Sequence, residues 1–354
     1  VMPMGEHYLQ IGEATSRAMI DVPEIQMELF RKVLAVNPNV VVVLFNGRPL
    51  DLREISAKAK AILEVWFPGT EGGSAVVDVL TGKKNPSGKL PVTFPKRYKD
   101  APTYGNFPGC AGEVFYGEGI LVGYRYYDTK DVKPRYAFGH GLSYSKFEIS
   151  DLTLDHTVVN YDNEETLTAS VKVRNVSDRA GKEVVQIYIS DVKSTLDKPV
   201  KELKAFHKVL LQPSEEQVLT FQITKDMLKS YDPEHKCWDC EAGYYEVLAG
   251  NASDNISCKA KFLVKCRSIY NYNEKTMLCV IHADERAAKI IDAQLEALHI
   301  DVSDMADALY YFPHREIGQV LHSMLDHAPI DEAVKKQAYE QIFEAVGALD
   351  ISEL

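Results

Sequence analysis

The chain has 354 residues, 45% of them hydrophobic and 26% charged, with a formal net charge of −11. That balance fits two or three globular units of about 100–200 residues each and excludes collagenous, coiled-coil and disordered classes. Its negative field repels phosphate backbones and anionic lipid, so neither nucleic acid nor a membrane is an expected partner; the longest apolar runs, such as Val40–Phe45, fall far short of the roughly 20 residues that span a bilayer.

At the start, Val1-Met2-Pro3-Met4 offers no charged n-region followed by an apolar h-region and does not look like a natural N-terminus. The chain therefore reads as a fragment, with a cytoplasmic location expected and secretion left open. From Pro23 onward, Ile25, Leu29, Val33 and Leu34 stand at helical spacing, with Pro23 suited to the first turn and Asn37-Pro38 near the end. Asn39–Phe45 is a continuous β-branched run bounded by Pro38 and Gly47, the pattern of a parallel strand buried on both faces. Glu54–Leu63 returns to helical spacing, Ala61–Trp66 begins a further strand, and Gly72–Leu80 reads as another helix. Strands alternating with helices imply an α/β layer.

From about Phe147 to Val264 the period becomes two. Leu167–Val173, Glu183–Ile189, Val218–Ile223 and Tyr244–Leu248 are short strands separated by turn residues, as in a β-sandwich. Beyond Ser268 helical patterns return at Asp284–Leu298, Arg315–Asp326 and Asp331–Val346, with Met277–Ile281 read as one strand. The expected division is 1–145 α/β, 146–266 all-β, and 267–354 mainly helical. No internal repeat or low-complexity tract interrupts it.

The six cysteines (Cys110, Cys237, Cys240, Cys258, Cys266, Cys279) are spread over a chain that needs no disulfide framework. Cys237-Trp238-Asp239-Cys240 has the spacing of a redox pair or half a zinc site, but nothing nearby completes four ligands. Two free thiols in a turn is the better reading, and no metal is expected. Gly69–Gly73 departs from both phosphate-binding glycine patterns, so a strand-to-helix turn accounts for it better than a phosphate cradle. The aromatic cluster Phe115, Tyr116, Tyr124, Tyr126, Tyr127, Tyr136, Phe138 and Tyr144 suits a domain interface better than a sugar-stacking platform. Glu118 and Arg125 within it suit either loop hydrogen bonds or a substrate hydroxyl.

No serine-hydrolase elbow, zincin helix or nucleotide-binding lysine is present, which leaves carboxylate chemistry or binding. Glu6 and Glu13 stand seven residues apart in a glycine-containing stretch, followed by Ser16-Arg17, and Gly12 permits a backbone geometry that aims Glu13 outward. By pattern alone, two loop glutamates are more often solvated surface than catalysis.

The sequence adds a resemblance here. Gly12-Glu13-Ala14-Thr15-Ser16-Arg17, followed by Ile20-Asp21-Val22-Pro23 and Gln26, resembles the acid/base loop of family 3 glycoside hydrolases. Further blocks follow in the family's order: Val42–Leu50, Trp66–Gly73, the diagnostic Asn85–Pro95, Tyr116–Asp128 and Phe138–Tyr144. Val200–Phe206 and Leu211–Glu215 are similar to its fibronectin type III-like domain; in Ser268–Leu354 nothing is recognised. The resemblance implies the C-terminal part of an α/β sandwich domain over 1–145, a fibronectin type III-like sandwich over 146–266 and a helical segment of unassigned role.

It also implies a retaining β-glycosidase, most often a β-glucosidase, with no cofactor. Glu13 would be the acid/base and Arg17 a support that pairs with a carboxylate, while Glu6 has no assigned duty. An aspartate nucleophile would come from a (β/α)8 barrel in cis or in trans, which these residues do not contain, so the chain alone is expected to be inactive. The implied partners are a β-glucoside or oligosaccharide and that barrel, with homo-oligomerisation open. The alternative is a catalytically silent assembly module of a carbohydrate-active protein.

Overall fold

The structure, a computed structural model, describes residues 1–13, 15, 17–163, 165–233, 236–266 and 271–349. Its first part is a parallel sheet in the order β1 (Met2–Gly5), β2 (Val41–Phe45), β3 (Ala61–Glu64), with Met2 opposite Val42 and Val41 opposite Ala61. Helices α1 (Glu24–Val36) and α2 (Arg53–Lys58) make the connections, and α3 (Gly72–Leu80) follows β3. The β-branched run lies in the centre as expected: Val42, Val43 and Leu44 are successively buried, and only a strand covered on both faces buries consecutive side chains. Phe30, Leu50, Leu52, Ile55 and Phe94 close this core. The helical spacing read over Glu54–Leu63 overran its element. Helix α2 stops at Lys58, and Leu63 belongs to β3.

After α3 the chain runs without regular elements, apart from a 3-10 turn at Tyr98–Asp100, to the short helix α4 (Tyr124–Thr129). It then enters two facing sheets, antiparallel except where an edge strand of the larger one pairs parallel with its neighbour. One is formed by β4 (Phe147–Leu154), β6 (Leu167–Asn175) and β9 (Glu216–Ile223) in the order β4-β6-β9. The other has the order β5-β13-β12-β7-β8, from β5 (Val158–Asn160), β7 (Gly181–Asp191), β8 (Glu202–Leu211), β12 (Gly243–Ala252) and β13 (Asn255–Lys265). A turn of helix, α5 (Lys225–Leu228), and a hairpin, β10 (Ser230–Asp232) with β11 (Cys237–Asp239), link β9 to β12. All four strands read from alternation are present. Strand β6 shows why: Leu167, Ala169, Val171 and Val173 point inward in strict alternation. Their core partners include Ile187, Val247 and Phe262 from the opposite sheet.

The third part is helical: α6 (Leu278–Ala283), α7 (Glu285–Ala297), α8 (Ser303–Tyr311), α9 (Ile317–His327) and α10 (Glu332–Gly347), packed through Ile281, Ile291, Leu295, Leu321 and Ile342. Asp284 and Asp331 cap α7 and α10 by accepting from Arg286 and Ala333 N–H groups. The strand read at Met277–Ile281 is instead α6. Leu278 and Ile281, three apart, are both buried, and so short an apolar run does not reveal its period from sequence.

The block Asn85–Pro95 joins the first two parts. Asn85 Nδ2 donates to Ser145 Oγ (2.8 Å) and Ala180 O (3.0 Å), while its Oδ1 accepts from Ser143 Oγ and Tyr144 N. Lys89 Nζ pairs with Glu183 at 2.7 Å, with both side chains nearly buried. The aromatic cluster divides. Tyr124 stacks on Phe138 at 4.8 Å, meets Tyr188 of β7 edge-on and accepts from Leu203 N, whereas Phe115 and Tyr116 stand exposed. Arg125 pairs with Glu202 of β8 at 3.0 Å, and Glu118 accepts from Asn106. Cys240 is buried and Cys237 partly exposed, both free; the Cys266 thiol donates to Cys240 O, and that thiol together with burial raises the pKa of Cys240.

Candidate active site

The carboxyl ends of β1, β2 and β3 lie side by side, because parallel pairing puts all three strand exits on one edge of the sheet. In open α/β sheets this edge is where ligands bind. Each exit delivers a polar residue there: Glu6 directly after β1, Asn46 and Arg48 just after β2, and Glu64 at the end of β3.

Gly5 has φ +149, and a Cβ on it would fall 1.8 Å from Phe45 O, so only glycine lets β1 leave the sheet this close to β2. Gln26 of α1 then clamps that glycine by donating to Gly5 O and accepting from Gly5 N, both at 2.9 Å. The Glu6 side chain, with no exposed area, accepts from Arg17 Nη1 (3.2 Å), Arg48 Nη2 (2.7 Å) and Arg48 Nε (3.1 Å). A buried carboxylate persists only when its lone pairs are met by such donors. Arg48 reaches further, to the Arg17 and Met19 carbonyls, and Arg17 donates to Asp21 O. The departure of the loop at Glu6 and its return over 17–21 are thereby tied to one another and to the turn after β2. Arg17 meets a carboxylate, and that carboxylate is Glu6, the residue to which the sequence assigned no duty.

Between these ties lies the turn that carries Glu13. Gly12, at φ +146, bridges to Thr15, whose N–H donates to Gly12 O at 3.2 Å. Glu13 sits in that turn, exposed, with no hydrogen bond or ion pair to another described residue. Its motif neighbours Ala14 and Ser16 lie outside the described residues. The result is a free carboxyl on a fixed base.

Glu64 and Asn46 carry no sequence signal beyond their place at strand ends. Glu64 Oε1 accepts from Trp66 N at 3.0 Å and Oε2 from Asn46 Nδ2 at 3.4 Å. Burial outweighs these bonds and pushes its carboxyl up to about 7. Asn46 is fully buried and donates to Arg48 O, yet its Oδ1 has no partner among the described residues. Among those residues, too, no cluster of three or more His, Cys, Asp and Glu side chains could hold a metal ion.

Residues 1–144 match the glycosyl hydrolase family 3 C-terminal domain, and residues 183–253 match the fibronectin type III-like domain. Thermostable beta-glucosidase B of Acetivibrio thermocellus is 40% identical over 337 residues, covering 92% of this chain and 44% of that protein. Probable beta-glucosidase I of Aspergillus oryzae is 42% identical over 257 residues, 72% of this chain and 30% of its own length. Among solved structures, a GH3 beta-glucosidase of Bifidobacterium adolescentis superposes with a TM-score of 0.73 at 36% identity, over 82% of this chain and 42% of that one. The chain thus spans less than half the length of these relatives. The similarity to the A. thermocellus protein reaches well into 268–354, where the sequence alone suggested no kinship. The chain belongs to glycosyl hydrolase family 3, of which it carries the C-terminal domain followed by the fibronectin type III-like domain.

Proposed function

We propose that this chain is the acid/base half of a retaining β-glucosidase, with Glu13 as proton donor. One observation carries the reading: Glu13 is an exposed carboxyl with no partner among the described residues, at the carboxyl edge of a parallel sheet, on a loop whose two roots are clamped by Glu6, Arg17, Arg48 and Gln26. A general acid must reach a substrate oxygen without first breaking bonds of its own, and it must return to one position at each turnover.

In the first step Glu13 gives its proton to the glycosidic oxygen as the C1–O bond breaks. A carboxylate about 5–5.5 Å away, supplied by a barrel from outside these 354 residues, forms the bond to C1. In the second step Glu13, now a carboxylate, takes a proton from water as that water attacks C1 and releases the sugar. Arg17 and Arg48 act on the loop backbone and on Glu6, not on the sugar. The curated relatives named as beta-glucosidases support glucose as the glycone.

The test is hydrolysis of 4-nitrophenyl β-D-glucoside by this chain alone and together with a family 3 barrel domain. Activity should require the barrel and fall about 10²–10⁴-fold in Glu13→Gln, the range for loss of a general acid. Turnover by the chain alone would put a nucleophile within these residues and overturn the division of labour. Silence in both arms would favour an assembly module.

A further inference from the structure

Beside the Glu13 loop stands an aromatic ring with no duty in the fold. Phe67 is 72% exposed, although the residue before it is anchored inward. Trp66 packs against the core of the parallel sheet, its ring 5.9 Å from buried Phe94, and its N–H donates to Glu64. Trp66 also takes φ +52, a left-handed conformation uncommon for a bulky residue and one that strained functional turns tolerate. This turn sends the next side chain outward instead of onto the core.

The ring of Phe67 then lies on the backbone of Gly47. A Cβ at Gly47 would stand 2.8 Å from Phe67 Cζ, 2.9 Å from Cε2 and 3.1 Å from Ile11 Cδ1. Three strand exits therefore converge: Phe67 from after β3, Gly47 from after β2, and Ile11 from the loop after β1. Ile11 is two residues ahead of Glu13, so the ring flanks the loop that bears the carboxyl.

We infer that Phe67 is a specificity-determining residue: an aromatic platform for the leaving group of the β-glucoside, which it engages through that group's apolar face. This rests on the proposed role of Glu13. A general acid protonates the glycosidic oxygen, so the departing group must lie beside it, whereas the glycone faces the nucleophile. Aromatic faces bind aryl groups and the C–H faces of pyranoses, and a ring held on a backbone surface loses little freedom on stacking. Gly47 is the permissive element, because any side chain there would lift the ring.

The test measures kcat/KM for 4-nitrophenyl β-D-glucoside, cellobiose and methyl β-D-glucoside in the intact glycosidase that carries this chain. Phe67→Ala should lower the aryl-to-methyl ratio about tenfold, the scale of one stacking contact. Phe67→Tyr should restore it, and Gly47→Ala should lower it with Phe67 still present. A matching fall in the cellobiose-to-methyl ratio would place a pyranose on the ring, whereas a fall for the aryl substrate alone would restrict the platform to aryl groups. An unchanged aryl-to-methyl ratio in Phe67→Ala overturns the inference. So does an equal loss on all three substrates, which would assign the ring to contact with the barrel. A wild-type enzyme silent on every β-glucoside is a separate result, and it defeats the Glu13 reading itself together with this one.

Discussion

Two regions of the molecule bury carboxylates against cations, and they finish differently. In the β-sandwich, Glu241 accepts from Ser194 Oγ (2.6 Å), Thr195 N (2.8 Å) and Lys198 Nζ (2.6 Å), and Lys198 also pairs with Asp191 at 2.7 Å. Burial opposes both charges, yet the two carboxylates hold the Lys198 ammonium above its ordinary range, while Lys198, Ser194 and Thr195 hold Glu241 below its own. That network closes on itself and fixes the loop between β7 and β8. At the carboxyl edge of the parallel sheet, Glu6 is satisfied just as fully, but what it holds is left open. Among the described residues Glu13 and Asn46 Oδ1 have no partner, and Glu64 is pushed toward neutrality. Polar groups left open beside a rigid floor are what a site for a second body looks like.

Removing the two hubs should expose this difference. Glu6→Ala deprives Arg17 and Arg48 of their shared anion in a buried setting, and we expect a loss of about 3 kcal/mol, read as a lowered midpoint for the transition of the parallel-sheet core. Glu241→Ala should cost less, about 2 kcal/mol, because Asp191 continues to neutralise Lys198. Calorimetry on both variants checks the order. If Glu6→Ala proved the milder, the loop roots would not be clamped as the geometry indicates.

Much of the scaffold was legible from periodicity. Gly72–Leu80 was read as a helix with the bounds it has, and the alternation of Leu167–Val173 gave a strand because inward and outward faces differ in burial. What failed was short or ambiguous: the run Met277–Ile281, where helix and strand place apolar residues alike, and the end of α2, where Ala61–Leu63 fit either period. Glu13 could be singled out only through the family's motif, since a glutamate after a glycine has no distinguishing pattern of its own. The Glu6 hub was invisible for a different reason: its partner Arg48 lies 42 residues away, brought close only by pairing β1 to β2. Glu64 escaped notice because sequence does not reveal which carboxylate at a strand end will be covered.

Glu64 supplies a pH test. Its carboxyl is pushed up to about 7 from an ordinary 4.5, with burial the leading cause. Between these values the folded chain holds a proton that the unfolded chain has released. The contribution of Glu64 is therefore fully present below about pH 4.5 and is lost as pH rises through 7. Allowing for partial exposure, the change is about 2 kcal/mol. Unfolding midpoints of wild type against Glu64→Gln across pH 4–8 should converge at low pH and separate toward pH 8, with the wild type the less stable there. Parallel curves would mean that the proton is not held.

The smallest expected effect on stability belongs to the residue proposed to matter most. Glu13→Gln removes one exposed charge that holds no described partner, so the unfolding midpoint should correspond to a change within about 0.5 kcal/mol. In the proposed role the same substitution deletes the proton given to the leaving oxygen, and among the described residues the nearest carboxyl in the loop, Glu6, is turned inward with its oxygens occupied by Arg17 and Arg48. Paired measurements on one variant therefore separate two kinds of carboxylate. A stable protein with collapsed β-glucosidase turnover fits a turn built for chemistry. A loss of stability comparable to that of Glu6→Ala would instead make Glu13 part of the clamp, and the edge would then be as self-contained as the sandwich.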